Sequence, residues 1–213
     1  MKILVTGFEP MRPMYTINPS WEAVRLLPDS IDGVQIIKAE LPVAAGKTDR
    51  MLEELLETEK PNALLCTGQS GMHRGLRIER IGINLDDFRV ADNDGNLRRD
   101  EPIIPDGPDA YFVNLPVRKI TVAIVERGIP AELSCSAGTH LCNHVTYLAR
   151  HLEKTRFPGL RSGFIHMPLD MSQCVQGSQS YFMDRGAVVS GLTCALEVIA
   201  AELKKENDEK RPR

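Results

Sequence analysis

The stretch AGTHLCNHVTYLARHLEK, residues 137–154, sets a thiol, Cys142, between two imidazoles, His140 and His144. A cysteine so placed can fill a core, bind a metal or attack a carbonyl. With Thr139 as N-cap, the stretch predicts a helix in which Cys142 is the third residue. The unpaired N–H groups and the dipole of a helix start favour negative charge. A thiol there can ionise at neutral pH and become a nucleophile, and the same N–H groups can support an oxyanion. On these residues alone the nucleophile and the buried thiol are equally good readings.

A nucleophile needs a base. Helical neighbours meet at spacings of three and four, not two, so neither His140 nor His144 is expected to face the Cys142 sulfur. His151 is half a turn out of phase. His166, in RSGFIHMP (161–168), falls at the carboxyl end of a predicted strand and is the best candidate base. A core histidine satisfied by its neighbours is the competing reading. His73, in the loop GQSGMHRG, is a weaker choice. A base is usually oriented by a carboxylate. Glu79 lies between Arg77 and Arg80 in RIERIGIN and reads most simply as one half of a surface Glu–Arg pair. His140 and His144 also have the spacing of a zinc pair, but a third ligand and the Glu of HExxH are missing. The loop GQSGMHRG could instead cradle a phosphate. It lacks the P-loop Lys-Ser/Thr and the GxGxxG pattern, yet it leaves open a phosphate-dependent nucleoside phosphorylase or a nucleotide-binding module.

These residues must be carried by regular elements. Apolar runs stopped by Gly or Pro predict strands at 2–8, 34–41, 62–68, 131–136 and 161–168. An alternating pattern predicts another at 77–85. Helices are predicted at 18–27, with Asn18 as N-cap and Pro19 at the first position, at 46–59 with Met51, Leu52, Leu55 and Leu56 on one face, at 118–128 and at 187–205. DNDGN (92–96) is a turn. Residues 98–116 hold four of the fourteen prolines and read as irregular. The alternation predicts an α/β layered fold, one domain over 1–213, with a mostly parallel sheet covered on both faces. Ligands in such folds bind at loops leaving the carboxyl ends of strands. That singles out GFEPMRPMYTIN, TGQSGMHRG and SAGTHLCNH.

Composition narrows the function classes. The chain has 213 residues, is 26% charged and carries a formal net charge of -3, which gives no basic surface for nucleic acid. No apolar run approaches the roughly 20 residues of a membrane span, and the run at the amino terminus is too short for a signal peptide. The mixed-charge end, 204–213, is expected to be frayed or disordered. Five cysteines, at 66, 135, 142, 174 and 194, include no CxxC and predict reduced thiols in a cytoplasmic protein.

Six segments, TGFEP, INPSWEAV, GQSG, ERIGINLDDFRVADNDGN, SAGTHLCNH and GFIHMP, lie in order from residue 6 to residue 168. Together they resemble the pyroglutamyl peptidase type I (pyrrolidone-carboxylate peptidase) family. The resemblance implies a three-layer α/β/α sandwich related to the phosphorylase architecture. It implies a cysteine peptidase that removes amino-terminal pyroglutamate from peptides, with a Cys–His–Glu triad on Cys142, His166 and Glu79. It places Arg89 beside the oxyanion, and Phe8, Met11, Gln69, Val90, His140 and Leu141 around the substrate's lactam, with backbone groups near Gln69 as its amide partners. It implies a cytoplasmic homotetramer without metal or cofactor. The chain departs from the family after GFEP, where Met11-Arg12-Pro13 replaces the usual Phe-Gly-Gly in a loop about one residue longer, and before the thiol, where His140-Leu141 replaces Phe-Val. Two aromatic walls are thereby replaced. A binding descendant that has lost turnover is the reading these departures leave open.

Overall fold

Buried parallel strands read as unbroken apolar runs, and the expected runs form strands here. The computed structural model describes residues 1–209. Lys2–Phe8 is β1 and leads through a long loop into α1 (Pro19–Val24). Asn18 caps that helix, its side chain accepting from the Ser20 N–H at 3.1 Å, and Pro19 holds the first position. β2 (Ser30–Ile31) and β3 (Val34–Leu41) follow, then α2 (Ala45–Glu59), which buries Leu52 and Leu56 with Met51 and Leu55 beside them. β4 is Ala63–Gln69.

The single strand expected at 77–85 is instead two, β5 (Leu76–Glu79) and β6 (Ile81–Ile83), in different sheets. Arg80 makes the switch: its N–H donates to Ser134 O, while its carbonyl accepts from the Val113 N–H. An alternating pattern cannot register such a change of partner. Residues 98–116 are not wholly irregular, because β7 (Ala110–Phe112) pairs antiparallel with β6. Next come α3 (Val117–Glu126), ended by Gly128 at φ 76, and β8 (Ala131–Ser134). Then follow α4 (Leu141–Thr155), β9 (Arg161–Met167), β10 (Leu169–Asp170), a 3-10 turn at Met171–Gln173 and β11 (Phe182–Met183).

The last helix, α5 (Arg185–Glu209), starts earlier and runs further than expected. The charged end is helical through Glu209 rather than frayed from 204, because Leu203 is buried and Glu206 pairs with Arg161. The remainder of that expected tail, residues 210–213, lies outside the described residues. By length and composition α5 could cross a membrane. Its face of Val188, Leu192, Ala195, Leu196 and Ile199 is buried in the core, as in the core helix of a globular domain.

The main sheet runs β2-β3-β1-β4-β9-β5-β8. Its pairs are parallel except β2 with β3 at one edge and β5 with β9. Helices α1, α3 and α5 bury their apolar sides on one face, α2 and α4 on the other. The result is the expected three-layer sandwich. On the second face, β6 presses against α4: a Cβ on Gly82 would stand 2.7 Å from the Tyr147 backbone nitrogen. Helix backbone cannot yield as a side chain can. Gly82→Ala is therefore expected to cost about 1–3 kcal/mol, as overpacking does, and to lower the melting temperature by several degrees in calorimetry. An unchanged transition would show that β6 and α4 are not in tight contact.

Candidate active site

Alternation along β9 decides which way its side chains face. Ile165 and Met167 join the core under α1, α3 and α5, whereas Phe164 joins the core under α2 and α4. His166 has the parity of Phe164 and faces α4. The adjoining strand β5 runs antiparallel, with Glu79 opposite Phe164 and hence diagonal to His166 on the same face. His166 Nδ1–H donates to Glu79 Oε1 at 2.9 Å. Glu79 is 0% exposed, so the surface Glu–Arg pair expected for it does not exist. The reason is that β5 is an interior strand with β9 on one side and β8 on the other. Arg77 turns instead to His73, Ser134 and Glu132.

With Nδ1 committed to Glu79, Nε2 is the nitrogen left for Cys142, whose sulfur lies close enough to act on the ring's charge. Burial disfavours a charge on His166. The adjacent Cys142 sulfur and the Glu79 carboxylate outweigh it and push the imidazole pKa up to about 9. The Phe164 ring packs 4.7 Å from the imidazole and fixes its second side.

The sulfur comes from the start of α4, one residue differently from expectation. Thr139 is not the cap, since its hydroxyl donates to Asp87 O at 2.8 Å. His140 holds the cap position without a side-chain capping bond, and Cys142 is the second helical residue. The first intrahelical bond runs from His144 N–H to His140 O. The N–H groups of Leu141, Cys142 and Asn143 are therefore left at the helix start. The thiol reaches β4 at Gly68, where a Cβ would lie 2.8 Å from both Cys142 Sγ and Phe164 Cζ. Cys66, two residues earlier on β4, is no rival: burial pushes its thiol up to about 12.

The other histidines have separate duties. The His140 ring packs at a tilt against Phe88, 4.1 Å between centroids, and bonds through Nε2 to Val90 O at 3.1 Å. Burial holds its pKa below the usual value, so it is neutral at pH 7. His144 has Asp49 on one nitrogen and Asp86 on the other. The two therefore do not converge as a zinc pair, and no cluster able to hold a metal occurs among the described residues. His73 sits against Arg77. In the loop expected to cradle a phosphate, Ser70 N–H donates to Met167 O and Gly71 O accepts from Tyr181 N–H, which ties that backbone into the fold.

Phe8, Leu141 and Phe88 share one apolar cluster with Cys142, and Met11 packs against it. Gln69 ends β4 with its side-chain Oε1 buried and unpartnered among the described residues. Val90 and Arg89 are exposed on the segment that crosses the start of α4. Gly68, Phe164 and Phe88 were not expected in the site. An isolated aromatic in LDDFRVAD was the one available signal for Phe88, because a ring among charges has to be covered by something.

The model of the family described as pyroglutamyl peptidase matches residues 1–202. The pyrrolidone-carboxylate peptidase of Thermosipho melanesiensis is 44% identical over 202 residues, covering 95% of this chain and 100% of that one. The corresponding peptidase of Streptococcus pneumoniae is 44% identical over 199 residues, 93% of this chain and 92% of that one. Among solved structures, a mutant pyrrolidone carboxyl peptidase from Pyrococcus furiosus superposes with a TM-score of 0.91 at 39% identity, over 95% of this chain and 100% of that one. The pyroglutamyl peptidase I of Bacillus amyloliquefaciens superposes with a TM-score of 0.90 at 36% identity, over 94% and 97%.

A titration tests the electrostatics. In proton-detected NMR, His166 is expected to titrate near 9, and at lower pH in Cys142→Ala and in Glu79→Gln. Its folded pKa lies above the ordinary 6.5, so its contribution to stability is complete below about pH 6.5 and is lost as pH rises through about 9. A midpoint that ignores both substitutions would break the link among the three side chains.

Proposed function

The chain belongs to the pyroglutamyl peptidase family, and from that premise we propose that it is a cysteine peptidase removing amino-terminal pyroglutamate from peptides through Cys142, His166 and Glu79. The observation that carries the reading is one imidazole, His166, bonded to a buried carboxylate on Nδ1 and electrostatically coupled to a helix-start thiol.

The chemistry follows from the charges. With its proton already resting on His166, Cys142 attacks, as a thiolate, the carbonyl that joins the lactam ring to the next residue. Negative charge moves to the carbonyl oxygen, where the N–H of Cys142 and the Arg89 guanidinium support it. His166 then protonates the departing amine, the C–N bond breaks, and a thioester remains. Water loses a proton to His166 and attacks the thioester. Pyroglutamic acid leaves and the thiol is restored. Glu79 keeps the proton on Nδ1 and stabilises the imidazolium throughout.

A pyroglutamyl residue is a neutral lactam with no α-ammonium. Its pocket has to be apolar, with few amide partners. Phe8, Met11, Val90, His140 and Leu141 are proposed to surround the ring, with the backbone at Gln69 as partner. His140 suits this pocket because burial keeps it uncharged. Met11 is flexible enough to fill the space of an aromatic ring. Five free thiols fit a reducing, cytoplasmic setting, and the family resemblance makes a homotetramer the expected assembly.

The decisive assay is release of a fluorogenic amine from its pyroglutamyl amide under reducing conditions. Wild type is expected to turn over, Cys142→Ala to show nothing, and Glu79→Gln to lose about three to four orders of magnitude in kcat. Binding of the amide without amine release by wild type would identify a descendant that has lost catalysis. Turnover by Cys142→Ala would refute the mechanism.

A further inference from the structure

A second buried imidazole on α4 takes no part in this chemistry. His144, 1% exposed, donates from Nδ1 to Asp86 Oδ2 at 2.8 Å and from Nε2 to Asp49 Oδ1 at 2.7 Å. Asp86, 0% exposed, also accepts from Arg98 Nη1 at 2.6 Å, and its Oδ1 has no partner among the described residues. Three elements meet at this imidazole: α2 through Asp49, α4 through His144, and the segment 84–101 through Asp86. Backbone and polar bonds also tie that segment to its neighbours, among them Asp87 N–H to Thr139 O, Asn143 Nδ2 to Leu85 O, Asn93 N–H to Val43 O and Ala45 N–H to Asp92 Oδ2, but His144 is the charged side chain that joins α2 and α4 to it at one buried carboxylate. The segment carries Phe88, packed against the His140 ring, and Val90, whose carbonyl takes the His140 ring bond. The wall beside Cys142 is thus carried on the segment whose buried carboxylate His144 grips.

We infer that His144 is a positioning residue for lactam recognition, a charged clamp that binds segment 84–101 to α4 and α2 and so sets how tightly the pocket holds the pyroglutamyl ring, without touching substrate or reacting atoms. The inference rests on the peptidase reading above.

The clamp needs the protonated ring. Only an imidazolium has two N–H groups, and a neutral ring turns a lone pair toward one of the two carboxylates. The groups facing His144 are Asp49 from α2, Asp86 with Arg98 behind it from the crossing segment, and His140 one turn earlier at the start of its own helix. Burial opposes the charge, and bonds to the two carboxylates reverse that, raising the pKa to about 9. The folded ring therefore keeps both N–H groups through neutral pH, and the clamp opens as pH rises through about 9.

The test separates binding from chemistry. The bare lactam pyrrolidone serves as a competitive ligand, and hydrogen–deuterium exchange is followed over 84–101. His144→Gln is expected to raise the pyrrolidone Ki and the amide KM about tenfold, the worth of a buried charged hydrogen bond, while kcat changes less than about threefold. Exchange over 84–101 should quicken. In wild type the Ki should climb with pH through about 9, and in Asp49→Asn that climb should move to lower pH, which keeps the test open if His144→Gln does not fold. A fall in kcat at unchanged Ki and KM would overturn the inference, as would an alkaline midpoint unmoved by Asp49→Asn. If pyrrolidone fails to bind wild type, the peptidase reading falls, and the exchange data alone judge the clamp: unaltered exchange in both variants removes it.

Discussion

A sulfur at a helix start can touch an imidazole at a strand end only if nothing on the sheet stands between them. Here the place is Gly68, opposite His166 on the neighbouring strand, and any Cβ there would collide with Cys142 Sγ and Phe164. The rest of the site depends on this clearance. The parallel register of β4 and β9 brings Gly68 level with His166, and the reversed strand β5 delivers Glu79 to the far side of the same ring. A shift of one residue in either pairing would send a side chain to the opposite face.

Pressing α4 onto the sheet requires something to hold its amino-terminal end. That work falls to the excursion from Arg80 to Pro116. Asn143 accepts from Ile83 N–H and donates to the Ile83 and Leu85 carbonyls, Tyr147 OH reaches Pro108 O, and Arg150 Nε reaches Phe112 O. Each such bond is worth only about 1 kcal/mol net, but leaving its buried partner unpaired would cost more. The short pair β6–β7 is the frame that carries these carbonyls to α4.

Three histidines within this region differ in charge for reasons of environment alone. His140 lies against Phe88 with a backbone carbonyl as its partner, and burial keeps it neutral. His144 and His166 are more deeply buried, yet each faces anionic groups that outweigh the loss of water. The surface beside Cys142 formed by Phe88 and His140 is thereby apolar and neutral, while the groups behind and beside it are charged. That division suits the proposed reaction, a neutral lactam held beside a thiol nucleophile.

Much of this was legible in the residues. Gly-stopped apolar runs marked the parallel strands, Asn18-Pro19 marked the start of α1, and the position of Cys142 near a helix start followed from local pattern. These features depend on neighbours a few residues away, which is what periodicity and capping report. The burial of Glu79, the division of 77–85 at Arg80, and the cap at His140 in place of Thr139 were not legible, since each is settled by a strand or segment distant in the chain. The same holds for the convergence of residues 68, 79, 142 and 166. Residue type and local spacing determine which groups are able to react. Strand order, register and the direction of β5 decide which of them meet, because those are set by how the whole sheet buries both its faces.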